Sequence, residues 1–221
     1  SVVTPHIDVR FAALTLLVAI TVLNILGVSK IGKAQIIVVS LSILALGTLV
    51  AMGVDQFEPT HFDNSFTHGT TGFLGATAFV FVSFSGVTKV AALAEEVKQP
   101  EKNLPLAMFF SLLIATTVYV VVTFALIAVV PLDQVAGSEK PIYLLGDAVG
   151  GRTLGLVAAG FAIITMVAMA TAGLLASSRF PFAMSRDRLV PSALSEIHDT
   201  FKTPVNCIIL TAILMGLAIL F

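Results

Sequence analysis

The chain has 221 residues, 57% hydrophobic and 11% charged, with a net charge of −1 and a mean hydropathy of +1.02. Soluble domains carry about 25% charge, so this composition excludes a soluble globular core and a nucleic-acid surface and predicts an all-α integral membrane protein. Cys207 is the one cysteine, which excludes a disulfide within the chain.

Six apolar stretches follow in chain order, at 10–28, 34–54, 71–93, 105–131, 152–178 and 204–221. Each is near or above the roughly 20 residues that a helix needs to cross the hydrocarbon, apart from the shorter last one. Pro105 and Pro204 fall where a helix starts, the position at which a missing N–H costs least. Pro131 closes a helix, Pro59, Pro100, Pro141 and Pro191 fall in connections, and Pro181 falls just past the fifth span. The 132–151 connection contains IYLLGDAV, a candidate short surface helix. With no basic leader at its start and an apolar run at its end, the chain reads as a single transmembrane domain, 1–221, within a longer protein.

The basic residues set orientation. Nine of the twelve Lys and Arg residues lie in or beside the connections 29–33, 94–104 and 179–203, which places those connections in the cytoplasm. Arg10, Lys140 and Arg152 are the other three. The segment DQFEPTHFDNSFTHGT, 55–70, has three acids, two histidines and no Lys or Arg, and faces out. His61, Asp63 and His68 loosely resemble a metal site, but surface-loop residues are the commoner explanation, and no metal or cofactor is expected.

The third span holds the feature with the most chemistry. FVSFSGV puts Ser83, Ser85 and Gly86 deep in an apolar helix. Gly costs about 1 kcal/mol against Ala in a helix interior, and serine hydroxyls draw backbone bonds away from the helical ladder. Irregular backbone survives at membrane depth only where it lines a cavity or is buried in protein. An opened helix offers N–H groups to a carboxylate and carbonyls to an ammonium, which suits a zwitterion. Gly and Ser also occur where membrane helices pack closely. Lys89, beyond the break, reads as a side chain snorkelling to the cytoplasmic face.

Three stretches carry a family resemblance. SFSGV followed by AEEVKQPEKNLP resembles the sixth helix and following loop of the amino acid–polyamine–organocation permeases. ASSRFPFAMSRDRLVPSALSEIH, then KTP, is similar to the end of that family's eighth helix, its Arg-rich loop and the start of the ninth. NILGVSKIGKAQ resembles the link between the fourth and fifth helices. They occur in the family's order with the matching number of spans between them. The resemblance implies a piece, about helices four to nine, of a twelve-helix LeuT-type inverted-repeat fold.

It further implies a multi-pass carrier in the cell membrane for amino acids or related amines, by alternating access. Phe81, Val82, Ser83, Phe84, Ser85 and Gly86 match the unwound centre of the sixth helix, where substrate binds. Glu95, Glu96 and Pro100 match the cytoplasmic loop, as do Arg179, Arg186 and Asp187, with structural or gating roles. Coupling to a proton or to sodium is implied as well. QIIVVSLSILALG carries Ser40 and Ser42 where some proton-coupled members carry a lysine, so the lysine mechanism does not transfer. Thr171, in MVAMATAGLLAS, falls nearest the hydroxyls that sodium-coupled members use, and Thr165 is the poorer candidate. A membrane enzyme is the rival class. Against it, no Asp or Glu lies at the centre of a span, no HExxH or paired-aspartate motif occurs, and all four histidines fall outside the spans. A carrier for another small solute, or a membrane sensor that binds amino acids, stays open.

Overall fold

The computed structural model describes residues 9–26, 28–62, 69–87, 90, 97–198, 200, 201 and 203–221, with the backbone only of 28–31. Among these residues seven α-helices follow in order: α1 Val9–Leu26, α2 Val28–Gly53, α3 Gly69–Ser83, α4 Pro100–Val129, the one-turn α5 Leu132–Val135, α6 Pro141–Arg186 and α7 Val205–Leu220. Among the described residues there is no strand. Four helical stretches are long and apolar enough to cross a membrane, and α3 and α7 are shorter apolar helices. The chain is a multi-pass helical membrane protein.

Helix ends depart from expectation where a local rule is overridden. α2 begins at Val28, not at residue 34, so the connection expected at 29–33 is helical. SKIGKAQ holds no proline, and its one glycine, Gly32, costs too little to stop a helix. α4 starts at Pro100 rather than Pro105. Gln99 is left-handed (φ 48°, ψ 62°), and its carbonyl accepts from the N–H groups of Lys102 and Asn103. Pro100 thus takes the first helical position, where it has no N–H to lose, and Pro105 lies inside the helix. Pro141 likewise opens α6, and Pro181 lies within it.

α6 covers 46 residues but is two helices joined at a kink. Gly150 and Gly151 divide it. Gly151, at φ 74° and ψ −177°, occupies a region that only glycine adopts freely. The first part, 141–149, is the expected short helix, and the second, 152–186, is the fifth span extended at its C-terminal end. That end is closed by Arg188 in the left-handed region (φ 59°). The Leu189 N–H donates to Met184 O and the Arg188 N–H to Ser185 O, the paired bonds of a Schellman ending.

The chain forms two compact units. In one, residues 37–88 and 97–166, Leu49, Leu126, Val129, Val130, Leu145 and Ala158 make the core. Gly146 and Gly155 let 141–149 lie against the start of the following helix. A Cβ on Gly146 would stand 2.9 Å from the Gly155 Cα. In the other unit, residues 1–36, 89–96 and 167–221, α1 packs on α7 around Ile20, Leu174 and Ile208. Asn24 is fully buried there, its amide donating to Ile20 O at 3.0 Å and Thr171 O at 3.4 Å. Thr203 Oγ1 donates to Ile25 O at 3.2 Å.

Candidate functional site

Helical winding in α3 runs through Phe81, Val82 and Ser83 and stops there, where 71–93 was expected to continue as one span. Phe84, Ser85 and Gly86 form a turn. The backbone tightens to i→i+3 bonds: Phe84 N–H to Phe81 O at 3.1 Å, Ser85 N–H to Val82 O at 3.1 Å and Val87 N–H to Phe84 O at 3.0 Å. The sequence causes this locally, because two serines and a glycine replace apolar helix formers over four positions. Ser83 Oγ reaches back to Phe79 O at 3.3 Å, which keeps Ser83 on the helical side of the break. The Gly86 N–H has no hydrogen-bond partner among the described residues. A Cβ built on Gly86 meets nothing within 4 Å. The turn therefore places the carbonyl end of a helix beside an open stretch of backbone, the polarity that an ammonium group needs.

The expected site residues divide at this point. Ser83 and Phe84 line a cavity of about 650 Å³ between α3 and α4. Phe81 and Val82 are not among the residues that line it, and Ser83 is exposed as they are. Apolar walls come from Val80, Phe84, Val120, Phe124 and Ile127, and Phe62 of the 59–62 turn joins them. The Phe62 and Phe124 rings lie tilted, with centroids 5.2 Å apart. Phe84 meets Tyr119 of α4 edge-on, with ring centroids 5.4 Å apart. Thr116, Tyr119 and Thr123 complete the lining. Sequence reasoning passed over all three. The signal was present in TTVYVVVT, where they recur at i, i+3 and i+7 and so share one helix face.

The two hydroxyls expected to serve ion coupling have different partners. Ser42 Oγ lies 2.8 Å from Val38 O and 2.7 Å from Thr165 Oγ1, which lies 2.8 Å from Phe161 O. Two hydroxyl protons serve three short contacts, so this is an oxygen-rich point between α2 and α6 with no acid. Thr171 Oγ1 donates to Val167 O at 2.7 Å, a bond to its own helix, and its carbonyl accepts from buried Asn24.

Arg179 and Arg186 lie on the last turns of α6, Asp187 follows them, and Pro100 opens α4. Glu95 and Glu96 lie outside the described residues, as do Asp63, His68 and Lys89. His61 is held by Ala128 O at 3.2 Å and by Glu58 at 3.3 Å. Among the described residues no group of three or more His, Cys, Asp or Glu is placed to hold a metal.

Four apolar helices of membrane length, with a shorter apolar helix that ends in a backbone turn beside a cavity, define a polytopic membrane protein. The amino acid permease family model matches residues 1–221, and the chain belongs to that family. It is 35% identical to the branched-chain amino acid permease BcaP of Bacillus subtilis over 193 residues, 87% of this chain and 41% of that protein. It is 28% identical to the methylthioribose transporter of Bacillus subtilis over 201 residues, 91% of this chain and 43% of that protein. With the vacuolar cationic amino acid transporter 4 of Arabidopsis thaliana it shares 29% identity over 211 residues, 91% of this chain and 34% of that protein. The chain thus spans less than half the length of each of these relatives.

Proposed function

We propose that the whole protein is a secondary carrier of neutral amino acids in the cell membrane, working by alternating access. The observation that carries this reading is the turn at Phe84–Gly86, an opened stretch of backbone at the end of an apolar helix of an amino acid permease family member. The ammonium of the substrate meets the carbonyl end of α3, and Ser83, Ser85 and Gly86 frame it, with Phe81, Val82 and Phe84 as pocket or gate groups. Neutral substrates fit a cavity lined by no acid or base. One relative is named for branched-chain amino acids, in keeping with that choice. Ser42 and Thr171 serve ion coupling. Glu95, Glu96, Pro100, Arg179, Arg186 and Asp187 shape and gate the cytoplasmic side.

A second reading, a carrier of a different small solute, draws support from the relative named a methylthioribose transporter and from the hydroxyls of the cavity wall. Uptake of a labelled panel (neutral, cationic and acidic amino acids, plus methylthioribose) into proteoliposomes of the full-length protein separates the two. It is run with a proton gradient, a sodium gradient and neither. Saturable uptake of neutral amino acids under one gradient is the expected result. Methylthioribose uptake without amino-acid uptake favours the second reading. Specific binding of an amino acid without accumulation under any gradient identifies a sensor.

A further inference from the structure

We infer that the α3–α4 cavity is the pocket for the substrate's side chain, that its α4 wall sets specificity through Tyr119, Thr116 and Thr123, and that it favours an uncharged side chain bearing a hydroxyl or carboxamide. This rests on the carrier reading above and deepens it.

The behaviour of the threonines carries the inference. A threonine inside a membrane helix satisfies its hydroxyl by donating to the carbonyl four residues back. Thr15, Thr21, Thr48, Thr77, Thr117, Thr165, Thr171 and Thr211 all do so. Thr116 and Thr123 do not, and they are the two that line the cavity. Neither they nor Tyr119 makes a hydrogen bond among the described residues. The contrast is sharpest between neighbours: Thr117 donates to Leu113 O at 2.8 Å and lies outside the cavity, while Thr116 lies inside it with its hydroxyl available.

The three positions span about 10 Å of helix and point the same way. Tyr119 meets Phe84 beside the break, and Thr123 precedes Phe124, whose ring meets Phe62. An adjoining groove of about 570 Å³ on the other side of Val120 and Phe124 contains no hydroxyl in its lining. Of the two pockets that α4 lines, only the one that reaches the break carries hydroxyls in its wall.

Those groups decide the ligand chemistry. Each hydroxyl can donate and accept, so a side-chain hydroxyl or carboxamide finds partners of both kinds. A charged side chain would enter an apolar-walled space with no counter-charge, which desolvation opposes. A plain hydrocarbon side chain fits the walls but strips water from the hydroxyls without replacing its bonds. Sites built to hydrogen-bond a substrate group discriminate most strongly against the analogue that lacks it.

The test uses the full-length protein in proteoliposomes and the ratio of kcat/KM for glutamine or threonine to that for leucine or valine. In Thr116→Val/Thr123→Val and in Tyr119→Phe the ratio is expected to fall at least tenfold, chiefly through KM for the polar substrates. Thr116→Ser/Thr123→Ser keeps both hydroxyls and is expected to keep the ratio. Thr117→Val, whose hydroxyl is already engaged, is expected to leave it unchanged. A ratio unchanged in the Val and Phe variants while uptake persists overturns the pocket and leaves the carrier reading standing. An equal loss for every substrate also overturns it, because it marks a structural role. No amino-acid uptake by the unsubstituted protein overturns the carrier reading and this assignment with it.

Discussion

Gly86→Leu is expected to abolish amino-acid uptake by the full-length protein while leaving its amount in the membrane and its thermal stability close to those of the parent. The two halves of this expectation rest on different facts. Space is not the constraint, because a Cβ at Gly86 meets nothing within 4 Å and the residue does not need a left-handed φ. Leucine is, however, a far better helix former, by about 1 kcal/mol. It favours continuation of α3 across the turn, which would return the open backbone to helical bonding, and its side chain would screen the Gly86 N–H. Ser83→Val is expected to act in the same direction, since it removes a hydroxyl that both lines the cavity and reaches back to Phe79 O. Transport kinetics measured beside size-exclusion profiles check both. Uptake equal to the parent in each would show that the turn is a packing feature, as glycine and serine in membrane helices often are.

Gly155→Leu is expected to do the opposite and prevent stable folding. A Cβ there would lie 3.0 Å from the Tyr143 ring, 3.1 Å from the Asp147 nitrogen and 3.1 Å from the Tyr143 carbonyl oxygen. Two of those three are backbone atoms that cannot rotate aside. The reciprocal contact at Gly146 is as tight, so the two glycines together set how closely 141–149 lies against the next helix. Overpacking costs roughly 1–3 kcal/mol in ordinary cores, and a full leucine against backbone belongs at or above the top of that range. Gly160→Leu is the control, because nothing lies within 4 Å of a Cβ at that position. Heating the purified proteins in detergent and recording the surviving monodisperse fraction checks the contrast. Equal survival of the Gly155 and Gly160 variants would contradict the packing described here.

Much of the architecture was legible because lipid simplifies the problem. Backbone groups must be satisfied within each helix, so long apolar runs, prolines and basic residues located six apolar helices and their connections. The turn at Phe84–Gly86 was legible for the same reason, since FVSFSGV is a poor helix at a depth where poor helices are costly. The boundaries were less so. α2 runs back to Val28 because the lone Gly32 cannot stop it, and Pro105 is tolerated inside α4 because Gln99 and Pro100 had already started that helix. The cavity was hidden for a different reason. Helices that are apolar all round show no stripe to reveal which face meets a neighbour, so Thr116, Tyr119 and Thr123 looked like ordinary members of a hydrophobic span. The pairing of Ser42 with Thr165 rather than Thr171 depends on the register between two helices, which no single-helix pattern contains.

The central claim is that the turn at Phe84–Gly86 holds the substrate. The most direct measurement is substrate protection of a thiol placed there: Ser85→Cys in the full-length protein, with Cys207 and any other cysteines replaced. Alkylation of the new thiol is timed with and without a saturating amino acid that the protein accumulates. The account predicts that alkylation slows at least severalfold when that amino acid is present, and not when a charged amino acid that it does not accumulate is added. An alkylation rate indifferent to every transported amino acid, in a variant that still transports, would place the substrate elsewhere.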